Sequence, residues 1–146
     1  MGDFIRYIFT EPHNLTLASL ESGMKEIDPA FSIVPDQAAT NGGDLLLGGE
    51  LFGEVEINQP TDQVFIEDLE DLRDQLTDIP AEDKALVVRA LKRATGMIAF
   101  QLSEDGHDQY QRLDPFWDWL FDRYPGLLQI DEEGYYSQSE QILTVE

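Results

Sequence analysis

Three aspartates, Asp114, Asp118 and Asp122, recur at every fourth position in the segment DPFWDWLFDRYPG of residues 114–126. At 3.6 residues per turn, this spacing stacks three carboxylates along one side of a helix. Such a row could bind a metal ion, carry out acid–base catalysis, contact a partner or simply face water. A metal or catalytic site needs ligands that converge from several elements into a partly enclosed pocket. One helix does not supply that arrangement, so we interpret the segment first as a core helix.

The same helix carries two tryptophans in different environments. Asp114 is predicted to be its N-cap, because Pro115 suits the first helical position. Helical spacing places one apolar set on a common face, consisting of Phe116, Trp117, Leu120, Phe121 and Tyr124. Asp118 and Asp122 lie opposite that face, and Trp119 projects toward Asp122. Either a neighbouring loop covers the Trp119 ring, or the ring is an exposed aromatic anchor for a partner.

A second acidic row runs beside the leucines of residues 65–79. Its carboxylates share a sector of about 100° opposite the apolar stripe and belong to Glu67, Glu70, Asp71, Asp74 and Asp78. Like charges at this spacing destabilise a helix by about 0.2–0.5 kcal/mol per adjacent pair. Either the row is only a solvated face, or a basic partner compensates the repulsion. The residues predicted to bind such a partner are Glu67, Glu70, Asp71, Asp74, Asp118, Trp119 and Asp122.

The net charge of the whole chain also favours a basic partner. Thirty acidic and nine basic residues give a net charge of −21 over 146 residues. A surface this negative repels phosphate backbones, which argues against nucleic acids and anionic membranes as direct partners. It attracts basic proteins and cations. Solubility, or adaptation to salt, is the alternative explanation of the charge.

Two smaller groups of polar residues leave alternatives open. Arg89, Lys92 and Arg93 cluster near the end of a predicted helix at 81–95, where cations suit the helix terminus. They could pair with the preceding acidic helix or form an anion-binding patch. His13 and His107 each follow a strand and have carboxylates nearby, but they could share a zinc ion only if their two loops meet.

Motifs of common enzyme classes are absent from the sequence. There is no GxxxxGK[ST] phosphate loop, no HExxH, no GxSxG and no CxxC. The glycines of NGGDLLLGGELFG, residues 41–53, fit a hairpin and not a nucleotide-binding loop. The sequence therefore leans away from an enzyme and implies no cofactor and no metal.

The predicted elements define an α+β fold. We expect a single domain over residues 1–146, with a mostly antiparallel sheet that carries its helices on one face. A β-α-β-β order occurs at residues 4–58 and again at 97–145, which suggests a pseudo-repeat. Two helices, at 65–79 and 81–95, join the two units.

Taken together, these patterns predict a small acidic protein-interaction module, of an inhibitor, immunity or chaperone type, that binds a basic protein surface. A small-molecule or metal-binding domain with a pocket between sheet and helices is the alternative. The chain has no cysteine, no run of about 20 apolar residues and no basic, apolar N-terminal signal, so we expect a cytoplasmic protein.

Overall fold

The computed structural model describes residues 4–36, 41–137 and 140–145, which form one eight-stranded antiparallel sheet and five α-helices. The strands are β1 (Phe4–Phe9), β2 (Phe31–Pro35), β3 (Gly42–Leu47), β4 (Glu50–Asn58), β5 (Gly96–Leu102), β6 (Gly126–Ile130), β7 (Gly134–Ser137) and β8 (Glu140–Thr144). The helices are α1 (Leu17–Ile27), α2 (Gln63–Gln75), α3 (Ala81–Lys92), α4 (Glu104–Asp108) and α5 (Asp114–Arg123). The predicted α+β class is confirmed. Within these ranges, no helix is both long and apolar enough to cross a bilayer.

The sheet has the strand order β2-β3-β4-β5-β1-β6-β7-β8, with the first strands of the two predicted units paired in its centre. A β-α-β-β order occurs in both predicted units, but each ends in one further strand and the second also contains the short helix α4. Residues 37–40 and 138–139 of the units lie outside the described residues. The connections differ. After α1 the chain enters at the outer edge, β2, and moves inward, whereas after α5 it enters beside β1 and moves outward. The halves are therefore not one repeated unit.

Both faces of the sheet carry helices, so the expectation of helices on one face is wrong. Tyr7 and Phe9 of β1 point into a core with α1 and α5, whereas Ile8 points into a second core with α2 and α3. The physical reason lies in the central strands, where the consecutive residues Tyr7, Ile8 and Phe9 are all buried. A continuous apolar run of this kind is typical of a strand that is covered on both faces.

The turn between β3 and β4 forms as its sequence predicts. Gly48 and Gly49 both have positive φ angles, of 61° and 85°, which suit a two-residue hairpin turn. Each of the middle helices ends three or four residues before its predicted end, α2 at Gln75 and α3 at Lys92. The apolar stripe of α2 is nevertheless buried, and Leu72 is 1% exposed.

Two local features differ from prediction around α4 and α5. Residues 103–109 fit a loop by composition, but Ser103 Oγ accepts a hydrogen bond from Gly106 N at 3.0 Å and starts the short helix α4. Asp114 is not the N-cap of α5, and Leu113 takes that place. A 3₁₀ turn, Tyr110–Leu113, leads directly into the helix and gives Asp114 helical angles, φ −53° and ψ −46°. The Asp114 carboxylate is therefore not used for capping.

Arg6 ties three elements together on the second face of the sheet. Its side chain is 12% exposed and pairs with Asp68 of α2 at 3.4 Å and with Asp131, after β6, at 3.0 Å. Its Nη1 also donates to Gln129 Oε1 at 2.8 Å. Because these partners are themselves largely buried, the loss of Arg6 leaves two carboxylates without a cation in a poorly solvated place.

We expect Arg6→Ala to lower the free energy of unfolding by about 2–3 kcal/mol, because part-buried charges then lose their partner. Arg112→Ala is the matched control. Arg112 is 50% exposed and pairs with Asp28 at 2.8 Å, so its loss should cost less than about 1 kcal/mol. Urea denaturation measures both values, and equal losses would contradict a structural role for Arg6.

Candidate functional site

An acidic groove lies on the second face of the sheet, on the half that α2 and α3 leave uncovered. Its volume is about 360 Å³, and strands β1, β3, β4 and β5 form its floor while α2 forms one wall. The carboxylates that line it belong to Asp36, Asp44, Glu54, Glu56 and Asp68. The acidic groove therefore combines carboxylates from the strands with one from α2.

Strand pairing brings these carboxylates together. In β4, Glu54 and Glu56 alternate with the buried residues Val55 and Ile57, so both glutamates point to the same face. The register of β3 and β4 places Asp44 directly opposite Glu54. Like charges directly across an antiparallel pair are destabilising, by about 0.2–1 kcal/mol. The repulsion between Asp44 and Glu54 therefore destabilises the folded protein, and a neutral residue at either position would remove it.

Arg6 is the only cation among the described residues that line the groove, and it does not neutralise the carboxylates on the strands. Its guanidinium is held by Asp68 and Asp131 and lies 4.9 Å from the centre of the Phe4 ring. These contacts fix Arg6 at the boundary between the covered and open halves of the sheet. Arg6 therefore does not pair with the carboxylates of Asp44 and Glu54.

The acidic row of α2 continues this surface around the helix. Glu67, Glu70, Asp71 and Asp74, which we call the acidic helix face, are all exposed as predicted. Asp68 stands between them and the groove, on the side of α2 nearest the sheet. Within residues 4–36, 41–137 and 140–145, none of the four forms an ion pair, and Glu67 accepts a hydrogen bond from Gln63 at 3.4 Å. The groove and the acidic helix face together form one acidic surface.

The predicted site residues of α5 lie elsewhere. Because α5 packs on the first face and α2 on the second, the sheet separates Asp118 and Asp122 from the acidic helix face. Both aspartates are exposed, and Asp118 lines a different cavity, between α5 and strands β6 and β7. The structure therefore does not bring the seven predicted residues into one site.

Trp119 is half-buried, so its ring is neither fully covered nor fully exposed. Helix α1, and not a loop, covers it, because Gly23 leaves room for the indole, and a Cβ there would lie 2.5 Å from the ring. Trp119 Nε1 donates to Glu26 Oε2 at 3.1 Å, and the Arg123 guanidinium lies 4.2 Å from the ring centre. Trp117 is buried as predicted, at 5% exposed. Contact of Trp119 with a partner stays a prediction.

The two histidines lie at opposite ends of β5. His13 stacks on Phe9 with ring centres 3.8 Å apart, and Phe9 pairs with Gly96 at the start of β5. His107 follows the other end of that seven-residue strand, which spans about 20 Å at 3.3 Å per residue. Burial lowers the pKa of His13, so the ring is neutral at pH 7. Among the described residues, no group of histidines and carboxylates could hold a metal ion.

The cationic cluster of α3 forms a shallow groove of its own. Arg89, Lys92 and Arg93 are exposed, and Arg89 and Arg93 line a 430 Å³ depression beside β6 and β8 together with Leu86. None of the three pairs with a carboxylate of α2 in the part of the chain that the structure describes. Arg73 of α2 instead donates to the carbonyl oxygen of Leu91, at 3.5 Å.

Sequence reasoning missed the part of the site that the sheet supplies. Asp44, Glu54, Glu56 and Asp68 were absent from the predicted set. The alternation of glutamates with apolar residues in GEVEIN was a usable signal, because it places both carboxylates on one face of a strand. The opposition of Asp44 and Glu54 depends on the strand register, which composition does not reveal.

Comparison of the chain with family models, curated proteins and solved structures finds no match.

We expect Asp44→Asn to raise the free energy of unfolding by about 0.2–1 kcal/mol, because it removes the repulsion from Glu54. Glu54→Gln should give a similar gain, and the double variant less than the sum of the two. Chemical denaturation of the four proteins at low salt measures this coupling, which should shrink as salt is added. Fully additive changes would show that the two carboxylates do not interact.

Proposed function

We propose that this protein is a small acidic interaction module that binds a basic surface of another protein through its acidic surface. The observation that carries the proposal is the continuity of the groove with the acidic helix face. Carboxylates from β3, β4 and α2 converge there, and Arg6, the one cation among the described residues that line the groove, is already held by Asp68 and Asp131. A cytoplasmic location is part of the proposal, because a chain without cysteines suits a reducing compartment.

The energetics support a binding role over a solubility role. Solubility requires only that negative charges be spread over the surface, and spreading also minimises their repulsion. Here Asp44 and Glu54 are opposed across one strand pair, and four carboxylates share one side of α2. A basic partner would convert this repulsion in the free protein into attraction in the complex.

The acidic surface also offers apolar contact area. Val64 and Ile66 at the start of α2 are 51% and 41% exposed, and Val64 lines the groove beside Asp68. Interfaces commonly combine a desolvated apolar centre with charged residues that steer association. A partner segment with lysine or arginine beside apolar side chains fits this combination.

The test compares two variants of equal net charge. In the first, Glu70→Gln, Asp71→Asn and Asp74→Asn neutralise part of the acidic helix face. In the second, three exposed carboxylates outside the acidic surface are neutralised, by Glu11→Gln, Asp105→Asn and Asp108→Asn. Partners are captured on the wild-type protein from the native host and then purified, and their association rates are measured by surface plasmon resonance.

We expect the helix-face variant to associate about tenfold more slowly at low salt and to show a weaker dependence on salt. The control variant should stay within about twofold of the wild type, because its carboxylates lie away from the binding surface. Dissociation should change less than association in both. Equal slowing of the two variants would mean that net charge alone drives binding, and this would contradict the proposed site.

A further inference from the structure

A second cavity, on the opposite face of the sheet from the acidic groove, combines aromatic walls with carboxylates. It has a volume of about 310 Å³ and lies between α5, the 3₁₀ turn before it, and strands β6 and β7. Its main lining residues, which we call the cation pocket, are Tyr110, Asp114, Trp117, Asp118, Glu133 and Tyr136. Small-molecule sites commonly begin at about this size and show this mixture of aromatic and polar groups.

Two tyrosines orient the carboxylate of Glu133. The Tyr110 hydroxyl donates to Glu133 Oε2 at 2.9 Å, and the Tyr136 hydroxyl donates to Glu133 Oε1 at 2.8 Å. Burial and the bond to Glu133 raise the pKa of Tyr136 to about 12, so its phenol stays protonated and keeps donating at neutral pH. The two hydroxyls thereby hold both oxygens of one carboxylate at the cavity.

Asp114 and Asp118 add two more carboxylates one helical turn apart. Desolvation and the neighbouring charges of Asp118 and Glu133 raise the pKa of Asp114 above its usual value. A carboxylate in the first turn of a helix is ordinarily stabilised by the helix dipole, by about 0.3–1 kcal/mol. Desolvation of Asp114, followed by repulsion from Asp118 and Glu133, outweighs that stabilisation. Among the described residues, no lysine or arginine lines the cavity to relieve it.

Trp117 contributes a buried aromatic ring to the cavity. The indole lines the cavity and is 5% exposed, and its Nε1 is buried with no hydrogen-bond acceptor among the described residues. Buried donors of this kind are costly and are normally satisfied, by about 1–3 kcal/mol on mutational scales. Ammonium and guanidinium groups carry only donors and cannot satisfy this N–H, so Trp117 contributes its ring to the cavity and not its Nε1.

We propose that the cation pocket binds an organic cation of the ammonium or guanidinium class, held between aromatic rings and carboxylates. Three carboxylates supply the charge, and the cavity is also lined by Trp117, Tyr110 and Tyr136, whose aromatic rings are of the kind that attract cations. A metal ion is a poorer fit, because these carboxylates do not form a metal-binding group within the described residues. The same chemistry could come from a free amine or guanidine, or from a lysine or arginine side chain of a peptide.

The experiment uses Trp117 as the reporter. In a Trp119→Phe background, Trp117 is the only tryptophan, and its fluorescence is titrated with butylguanidinium, butylammonium and the uncharged analogue butylurea. The blocked peptide Ac-Gly-Arg-Gly-NH2 tests whether a protein side chain is the preferred source. We expect the two cations to bind at least tenfold more tightly than butylurea. A peptide that binds more tightly than butylguanidinium would assign the pocket to a basic side chain, and the reverse order to a free cation.

Matched aspartate variants locate the binding. Asp118→Asn should weaken butylguanidinium binding about three- to tenfold, whereas Asp122→Asn should leave it unchanged, because Asp122 lies one turn further along α5 and outside the cavity. Both aspartates are exposed, so neither variant threatens the fold, which circular dichroism checks. Glu133→Gln, which keeps an acceptor for one tyrosine, should have the larger effect.

Two results would overturn this proposal. One is equal binding of butylguanidinium and butylurea, and the other is equal weakening by Asp118→Asn and Asp122→Asn. Glu54→Gln, in the acidic groove, separates this site from the proposed protein-binding function. It should not change the binding of butylguanidinium measured by Trp117 fluorescence, so each of the two proposals can be contradicted without the other.

Discussion

The burial of one end of the central strand pair on both faces is the constraint on which the rest of the structure depends. β1 and β5 pair from Phe4 opposite Gln101 to Phe9 opposite Gly96, and only one end of this ribbon is apolar on both sides. Helices α2 and α3 cover that end on the second face, around Ile8 and Met97. The other end is left open, and the acidic groove forms there with Arg6 fixed at the boundary.

Electrostatics then decide what each open surface can attract. With a net charge of −21, the protein repels anions in general, but its carboxylates are not evenly placed. On the second face, strand register opposes Asp44 and Glu54 beside the acidic row of α2. On the first face, a tight turn brings Glu133 between two tyrosines and toward Asp114. Both arrangements place like charges close together, and a positively charged group at either place would reduce the repulsion.

Sequence periodicity predicted what depends on local spacing and missed what depends on pairing. The leucine stripe of α2, the hairpin glycines and the burial of Trp117 followed from spacing of two or 3.6 residues. The second covered face was missed because α2 and α3 can pack on either side of a sheet without any change in their own pattern. The position of Asp44 opposite Glu54 depends on the register between two strands. The partial burial of Trp119 depends on the close packing of α1 against the indole at Gly23. Neither feature can be predicted from the sequence of a single helix or strand.

The most direct test of the central claim measures where the surface potential is most negative. Paramagnetic relaxation enhancement of backbone amides is recorded with a cationic and an anionic nitroxide of the same size, at low ionic strength. The structure predicts the highest cation-to-anion ratios at the amides of Asp44, Glu54 and Asp71, on the acidic surface. Ratios that are uniform over the molecule, or higher at the equally acidic α4 segment around Asp105, would contradict a concentrated binding surface and leave the charge as a solubility device.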